Sequence, residues 1–583
     1  MENVERLCKG LMKSKTLFYF SILLLILLYL PSRMIYLEAD IPVFENSAYG
    51  MIDEPFYVFT AFQIVEKFKS VVAPYQTLDR TTFYPWRLTM EYLTALTLNV
   101  FGDNYFGLRT PSVLMGLIAL VSFFIILYKR FGLAYATIGG LVLLCDYNFL
   151  LSNRVVEPTI HRMAGLMLLV LLFNVNITNR RISGYYNFFL GCSSGAVMLI
   201  YQTNIFILPA SVLLLIITSK QKMVKNLLIF FSGILLIILP TIPSMFSLEN
   251  ILHYSKGYHQ SVPGALHEPL SIVGAKLRVN ILSIGRANFL TYNGYLLPLF
   301  ILSLVLFACK KMWNIVGDRK KKILYIAVFL FIVLFCMKAI PWSNGHEVDV
   351  SILLCICLLM SFGFAIFFLF NNFKNITQNE KGNKLDATMF LMLAFFFLQT
   401  IILNDFPQKK LIILLPFFLY FILWGIYELP WNVLFVYLHS IKLKTYLPLV
   451  VFLPALLISP FISYKYIYER PTYGMKEAMI KLNDFHEEVF LGYWSQTFRL
   501  YNSYEPVLNY YLQDYTYGEK MYLQRMREFG EKFYPRSVTL YFADDEGIER
   551  LKKLGYYLEQ IIYKSNDPTY PDVGLYRYRR LVN

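Results

Sequence analysis

The chain has 583 residues, of which 57% are hydrophobic and only 16% are charged, and its formal net charge is +15. Apolar runs long enough to cross a hydrocarbon core of about 30 Å as helices recur along most of it, which excludes an ordinary soluble domain. Lys and Arg gather in short loops between those runs, as cytoplasmic loops do, so the positive charge is topological and excludes a nucleic-acid partner as its cause.

A basic stretch (Arg6, Lys9, Lys13, Lys15) precedes the first apolar run, Thr16 to Leu37, which has no small-residue cleavage site and predicts an uncleaved signal anchor. Residues 37–109 then form a long loop on the outer side. It opens on the adjacent carboxylates Asp53 and Glu54, followed by Pro55 and an aromatic stripe, a pattern that predicts a capped interfacial helix. The stretch 82–102 is apolar but carries Arg87 and Glu91. Counting it as a span would turn the Lys310–Lys322 cluster outward, so it is predicted to lie amphipathically in the outer interface, with Arg87 and Glu91 paired on its wet face.

Spans follow near 110–128, 133–151, 160–176, 185–201, 203–219, 226–246, 292–309, 323–340, 349–370, 386–403, 411–427 and 446–464, thirteen with the anchor. With the N-terminus inside, Lys129–Arg130, Arg180–Arg181, Lys220–Lys225, Lys310–Lys322, Lys374–Lys384 and Lys442–Lys444 fall on the cytoplasmic side. The loops 152–159, 247–291, 341–348 and 404–410 and the tail from 465 fall outside. The basic residues of 247–291 and 404–410 fit that rule less well. In the tail, strands near 489–494, 537–543, 556–564 and 573–580 alternate with helical stretches, which predicts a small α/β domain. The expected organisation is therefore a polytopic α-helical membrane domain, 1–464, and an extracytoplasmic α/β accessory domain, 465–583.

The seven cysteines lie in or beside apolar runs or in the basic N-terminus, so no disulfide framework is expected. The loop 247–291 holds His253, His259, His267 and Glu268, whose spacing matches no standard ligand pattern. No cofactor is expected, and a divalent metal is the minor alternative. His346, Glu347 and Asp349 form another polar cluster in a predicted outer loop.

The acidic pair Asp53–Glu54, the later FGDNYFGLRTPS (101–112) and then LLSNRVVEPTIHRMAG (150–165) together resemble the GT-C membrane glycosyltransferases, in particular the protein O-mannosyltransferases and the lipid A aminoarabinose transferases. The family's acidic pair matches Asp53–Glu54. Its conserved-spacing arginine matches Arg109, and its second acidic motif matches Glu157–Pro158, where many relatives carry Asp. A later Lys–Leu–Pro element resembles KKLIILLPF (409–417), and Arg87 stands where relatives often show Pro-Pro or Lys-Pro. The resemblance is good over about the first 170 residues, loose through the middle, and only architectural in the tail.

What the resemblance implies is transfer of a sugar from a polyprenyl-phosphate donor to a lipid, glycan or protein acceptor at the outer face, with no nucleic acid involved. Such chemistry needs a base near the attacking hydroxyl and cations at the departing phosphate. Asp53 is the candidate base, with Glu54 and Glu157 as supporting acids. Arg109, Arg87, Lys409, Lys410 and Arg154 are candidate phosphate ligands. Each has a plainer reading beside it: Asp53 as a helix cap, Glu54 as a first-turn acid, Arg109 and Lys409–Lys410 as snorkelling cations, Glu157 in a local salt bridge with Arg154 or Arg162, and Arg87 paired with Glu91. A lipid or polysaccharide transporter would share the many spans, but mid-span charges are few and no inverted repeat is visible. A membrane-anchored binding or assembly protein is the other alternative. A polysaccharide polymerase would lack the early acid pair followed by an interfacial helix.

Overall fold

The computed structural model describes residues 15–37, 88–102, 105–175, 180–218, 223–239, 381–402, 412–428, 441–468, 490–491, 537–541, 555–564 and 574–580, with Leu296, Leu299, Phe300, Ser303, Glu549, Lys552 and Lys553. Among these residues it is a helical membrane protein. Helix α1 (Lys15–Met34) is followed by α2 (Leu88–Phe101), α3 (Tyr105–Phe131), α4 (Leu133–Cys145), α5 (Tyr147–Ser152) and α6 (Pro158–Phe173). Then come α7 (Arg180–Met198), a 3₁₀ turn (Gln202–Phe206), α8 (Ile207–Thr218), α9 (Met223–Ile238), α10 (Lys381–Ile402), α11 (Leu415–Glu428) and α12 (Ile441–Ser463). Three helices, Thr16–Met34, Phe106–Phe131 and Tyr446–Ser463, are long and apolar enough to cross a membrane, and shorter apolar helices accompany them. The expected spans 323–340 and 349–370 lie outside the described residues, as does most of 292–309.

Helix α1 leaves Tyr19, Phe20, Leu23, Leu24, Leu27 and Leu28 exposed while Leu25 and Tyr29 are buried. An apolar outward face of this kind suits lipid rather than water. Helix α11 is buried on all sides from Leu415 to Ile426, which makes it a central element of the body. Between α7 and α9 the backbones touch. A Cβ on Gly191 would stand 2.1 Å from the Phe230 carbonyl oxygen, and one on Gly233 would stand 2.3 Å from that of Phe188. Small residues at such a contact supply the close packing that holds helices together where lipid gives no hydrophobic drive.

Two sequence expectations are corrected. The predicted span 133–151 is not one helix. It breaks at Asp146, whose extended backbone ends α4 and whose carboxylate caps α5 by accepting from the Phe149 N–H at 2.8 Å. A capping aspartate satisfies backbone donors that a continuous helix would have satisfied by itself, so the break is locally encoded. The expected exposure of Glu91 on α2 is the second. Glu91 is 1% exposed and Thr94 is buried beside it, while Tyr92, Leu96, Asn99, Val100 and Phe101 face outward. The carboxylate of this helix is therefore turned into the protein, and its outward face is mostly apolar. Its first turn is tied to the end of α7 by Thr89, whose hydroxyl donates to the Ala196 carbonyl at 3.1 Å.

In the tail, β1 (Phe490–Leu491), β2 (Ser537–Tyr541), β3 (Tyr556–Lys564) and β4 (Gly574–Arg580) form a sheet of order β1-β2-β4-β3. The β1–β2 pair is parallel, and β4 runs antiparallel to both β2 and β3, with Leu540 opposite Tyr576 and Leu558 opposite Tyr578. The alternation in GLYRYRR buries Tyr576 and Tyr578 and sends Arg577 and Arg579 to the other face, where both reach Glu559.

At one end of the helical body Arg130, in the last turn of α3, meets Asp386 of α10 and Glu428 of α11, each at 2.8 Å. Asp386 also accepts from the Tyr420 hydroxyl and, at 3.1 Å, from the Trp424 indole. The charge pattern of the sequence groups these three helix ends on one side. It groups Leu37, Arg109, Arg154 and the end of α12 on the other, and these too converge.

Candidate functional site

The converging end is organised around the C-terminus of α1. A helix leaves its last carbonyls without intrahelical partners, and when buried they must be satisfied by other means. Here the Pro31 and Met34 carbonyls accept from the Ile35 and Leu37 amides, and the Tyr29 carbonyl accepts from the Ser32 hydroxyl. Arg154 serves the rest of the turn. Its guanidinium donates to the Arg33 carbonyl at 3.1 Å, to that of Ile35 at 2.7 Å, and to that of Tyr36. Arg109 donates to the Leu37 carbonyl at 2.7 Å. Tyr36 adopts φ 54°, a left-handed conformation rare for a residue with a side chain. That residue turns the chain where the carbonyls meet the two arginines.

Arg33 itself points across to α4. It donates to the Leu144 carbonyl, in the last turn of that helix, at 2.7 Å, and its guanidinium lies 4.8 Å from the Tyr29 ring and 5.6 Å from that of Phe149. Cations are favoured at helix C-termini by the exposed carbonyls and the helix dipole, and aromatic faces add to that. This explains how three arginines, 1%, 1% and 4% exposed at positions 33, 109 and 154, are accommodated close together. The cost remains visible in Arg154, which lies between α5 and α6. Burial pushes its pKa down to about 10, Tyr468 opposes the fall, and Arg109 and Arg33 add to it. It is still a cation at neutral pH, and its charged form is one that a nearby anion would stabilise. Among the described residues, the hydrogen-bond acceptors of Arg154 are all carbonyls.

Glu157, three residues beyond Arg154, takes the N-cap position of α6 ahead of Pro158, yet its carboxylate makes no capping hydrogen bond. It is 3% exposed. The Glu157 carbonyl accepts from His161 Nδ1 at 3.1 Å. Arg162 donates to the Asn204 side-chain oxygen at 2.6 Å, and the Asn204 amide donates in turn to the Val197 carbonyl at 2.6 Å. The Arg162 guanidinium also stands over the rings of Tyr201, at 5.1 Å, and Phe396, at 5.8 Å, so one side chain joins α6, the turn after α7, and α10.

Of the residues selected from the sequence, Arg109 and Arg154 are brought together on the same turn, and Glu157 follows in the same short loop. Arg109 is buried and engaged with a carbonyl rather than snorkelling. Arg154 spends its described bonds on carbonyls, so it does not form the local salt bridge with Glu157 that was the plainer alternative. Asp53, Glu54, Arg87, Lys409 and Lys410 lie outside the described residues, as do His253, His259, His267, Glu268, His346, Glu347 and Asp349. Among the described residues no group of His, Cys, Asp or Glu is arranged to hold a metal. Arg33 and Tyr468 were missed. The signal for Arg33 was a charge in the last turn of an apolar run, which calls for a partner in the protein. Tyr468 carries no signal, because only folding brings it to α1.

Residues 87–246 match the protein family described as dolichyl-phosphate-mannose-protein mannosyltransferase. No curated protein sequence matches the chain. In shape it is similar to the solved structure of ArnT from Cupriavidus metallidurans in the apo state, at TM-score 0.46 and 13% identity, covering 96% of this chain and 98% of that one. It is similar also to the oligosaccharyltransferase of Archaeoglobus fulgidus in the apo form, at TM-score 0.49 and 11% identity, covering 91% of this chain and 70% of that one. Both are distant likenesses. The matched family segment contains Arg109, Arg154 and Glu157, and it bears out the resemblance to the GT-C membrane glycosyltransferases read from the motifs.

Proposed function

We propose that this protein transfers a sugar from a polyprenyl-phosphate carrier to an acceptor hydroxyl at the extracytoplasmic face of the cytoplasmic membrane. The N-terminus is then cytoplasmic and the tail from 465 extracytoplasmic. The observation that carries this reading is the cluster of Arg33, Arg109 and Arg154 at one end of the helices, with Arg154 held by carbonyls. Backbone carbonyls hold a guanidinium in place without neutralising it, so Arg154 keeps its attraction for an anion such as a phosphate arriving from the bilayer.

In this reading Asp53 accepts the proton of the acceptor hydroxyl, with Glu54 and Glu157 orienting it or the acceptor. The hydroxyl oxygen bonds to the anomeric carbon as the bond to the phosphate oxygen breaks, inverting that centre. Negative charge grows on the departing polyprenyl phosphate, where Arg109 and Arg154 stabilise it, and Arg87, Lys409 and Lys410 complete the cationic lining. No metal is needed for these steps. The identity of the sugar and acceptor would come from comparing envelope carbohydrate with and without the gene.

The direct test uses purified full-length protein and a polyprenyl-phosphate sugar, with release of polyprenyl phosphate as the readout. Asp53→Asn should reduce turnover by about a thousandfold or more, the order expected of a lost base together with its orientation, while leaving polyprenyl-phosphate binding intact. Near-normal turnover in that variant would remove Asp53 from the mechanism.

A further inference from the structure

The segment leaving α12 returns to the arginine cluster. Residues Tyr464–Tyr468 form a π-helical turn continuing α12, and Tyr468 at its end donates its hydroxyl to the Ser32 carbonyl. Its ring lies 6.0 Å from the Arg154 guanidinium carbon. Ser32 belongs to the same α1 terminus whose later carbonyls hold Arg154 and Arg109. One side chain, more than four hundred positions away in sequence, thus closes the set of carbonyl bonds and lies against the cation those bonds position.

Neither contact is needed to end α12, because a helix can stop without reaching a distant turn. Burial raises the Tyr468 phenol pKa, so the hydroxyl remains a donor across the physiological range. The hydroxyl ties the ring to the α1 terminus and the ring flanks the guanidinium, so Arg154 is held by carbonyls and bordered by an aromatic face. An arginine held this way loses less freedom when it binds an anion.

We infer that Tyr468 is a positioning residue for anion binding, holding Arg154 in the orientation that receives the phosphate of the lipid carrier. This rests on the reading of the arginine cluster given under the proposed function, and the experiment separates the two. Binding of undecaprenyl phosphate to the purified full-length protein in lipid nanodiscs would be measured for wild type, Arg154→Gln, Tyr468→Phe, Tyr468→Leu, and each tyrosine variant combined with Arg154→Gln.

Wild type should bind, and Arg154→Gln should weaken binding by about thirtyfold, the scale for truncating one partner of a buried charge-assisted contact. Tyr468→Leu should weaken it by about tenfold and Tyr468→Phe, which keeps the ring, by about threefold. In the Arg154→Gln background both tyrosine effects should shrink to near unity, because a residue acting through Arg154 has nothing left to position. A purely structural role would give the same loss in either background, and that result overturns the inference, as does wild-type affinity in Tyr468→Leu. Should Tyr468→Leu fail to fold, Tyr468→Phe carries the same comparison. Absence of wild-type binding, or wild-type affinity in Arg154→Gln, overturns the cluster reading and this inference with it.

Discussion

At one end of the helices Arg130 lies between Asp386 and Glu428, and Asp386 receives further donors from Tyr420 and Trp424. At the other end Arg154 is held by the carbonyls of Arg33, Ile35 and Tyr36, with Arg109 and Arg33 close by. Both arrangements satisfy buried guanidinium groups. The first neutralises its cation with carboxylates and joins three helices, α3, α10 and α11. In the second, the hydrogen bonds of Arg154 among the described residues all go to carbonyls, which carry partial charges only, so that guanidinium keeps its formal charge. On the proposed function the difference separates fastening from receiving: an ion pair with its own counter-ion has little left to offer a ligand, while a cation held by dipoles keeps its charge for one.

The contrast can be broken most decisively at Arg130. Arg130→Gln would leave Asp386, 1% exposed, without its cation. Losing one partner of a buried pair costs about 3 kcal/mol or more. Thermal unfolding in detergent should show a large fall in melting temperature, with activity lost in proportion to folded protein. A variant as stable as wild type would mean that the ion cluster fastens nothing.

Next in size is Arg154→Gln. Its effect should appear in affinity for polyprenyl phosphate, about thirtyfold weaker, while stability falls by only about 1 kcal/mol because glutamine can still donate to a carbonyl of the turn. Binding and unfolding measured on the same preparation would check that division. Equal losses in both variants would erase the distinction between the two ends.

Arg33→Met should lower stability by about 1–2 kcal/mol, because it leaves the Leu144 carbonyl without its donor and the buried Asp146 without a nearby cation, although it keeps an apolar side chain against Tyr29 and Phe149. Affinity for the anion should also fall by about tenfold, since a contributor to the local potential is gone. The smallest effect is expected from Tyr420→Phe, which removes one of the donors to Asp386 while Arg130 and Trp424 remain. Its unfolding free energy should fall by about 1 kcal/mol with no change in ligand affinity.

Much of this was legible in residues taken locally. Apolar runs of bilayer length located most of the described helices, apart from the break at Asp146, because a chain in lipid must satisfy its backbone within each segment. Period-two patterning located the four tail strands. The clustering of Lys and Arg grouped the helix ends correctly, so Arg130, Asp386 and Glu428 meet at one end and Leu37, Arg109, Arg154 and Tyr468 at the other. The break at Asp146 was also locally written, in a capping residue that a window averaging hydropathy passes over. The inward turn of Glu91 was not, since a helix with one carboxylate among apolar residues has the same pattern whether its surroundings are water or lipid.

The sequence by itself therefore determined that this is a helical membrane protein, which residues its helices occupy, and the motif order shared with the GT-C glycosyltransferases. Those properties depend on near neighbours in the chain and on the bilayer as solvent. Tertiary structure alone decided that Arg33, Arg109, Arg154 and Tyr468 share one helix terminus, and that, among the described residues, Arg130 meets carboxylates while Arg154 meets carbonyls. Whether a buried arginine ends on a carboxylate or on a carbonyl depends on partners distant in sequence, and only packing selects them.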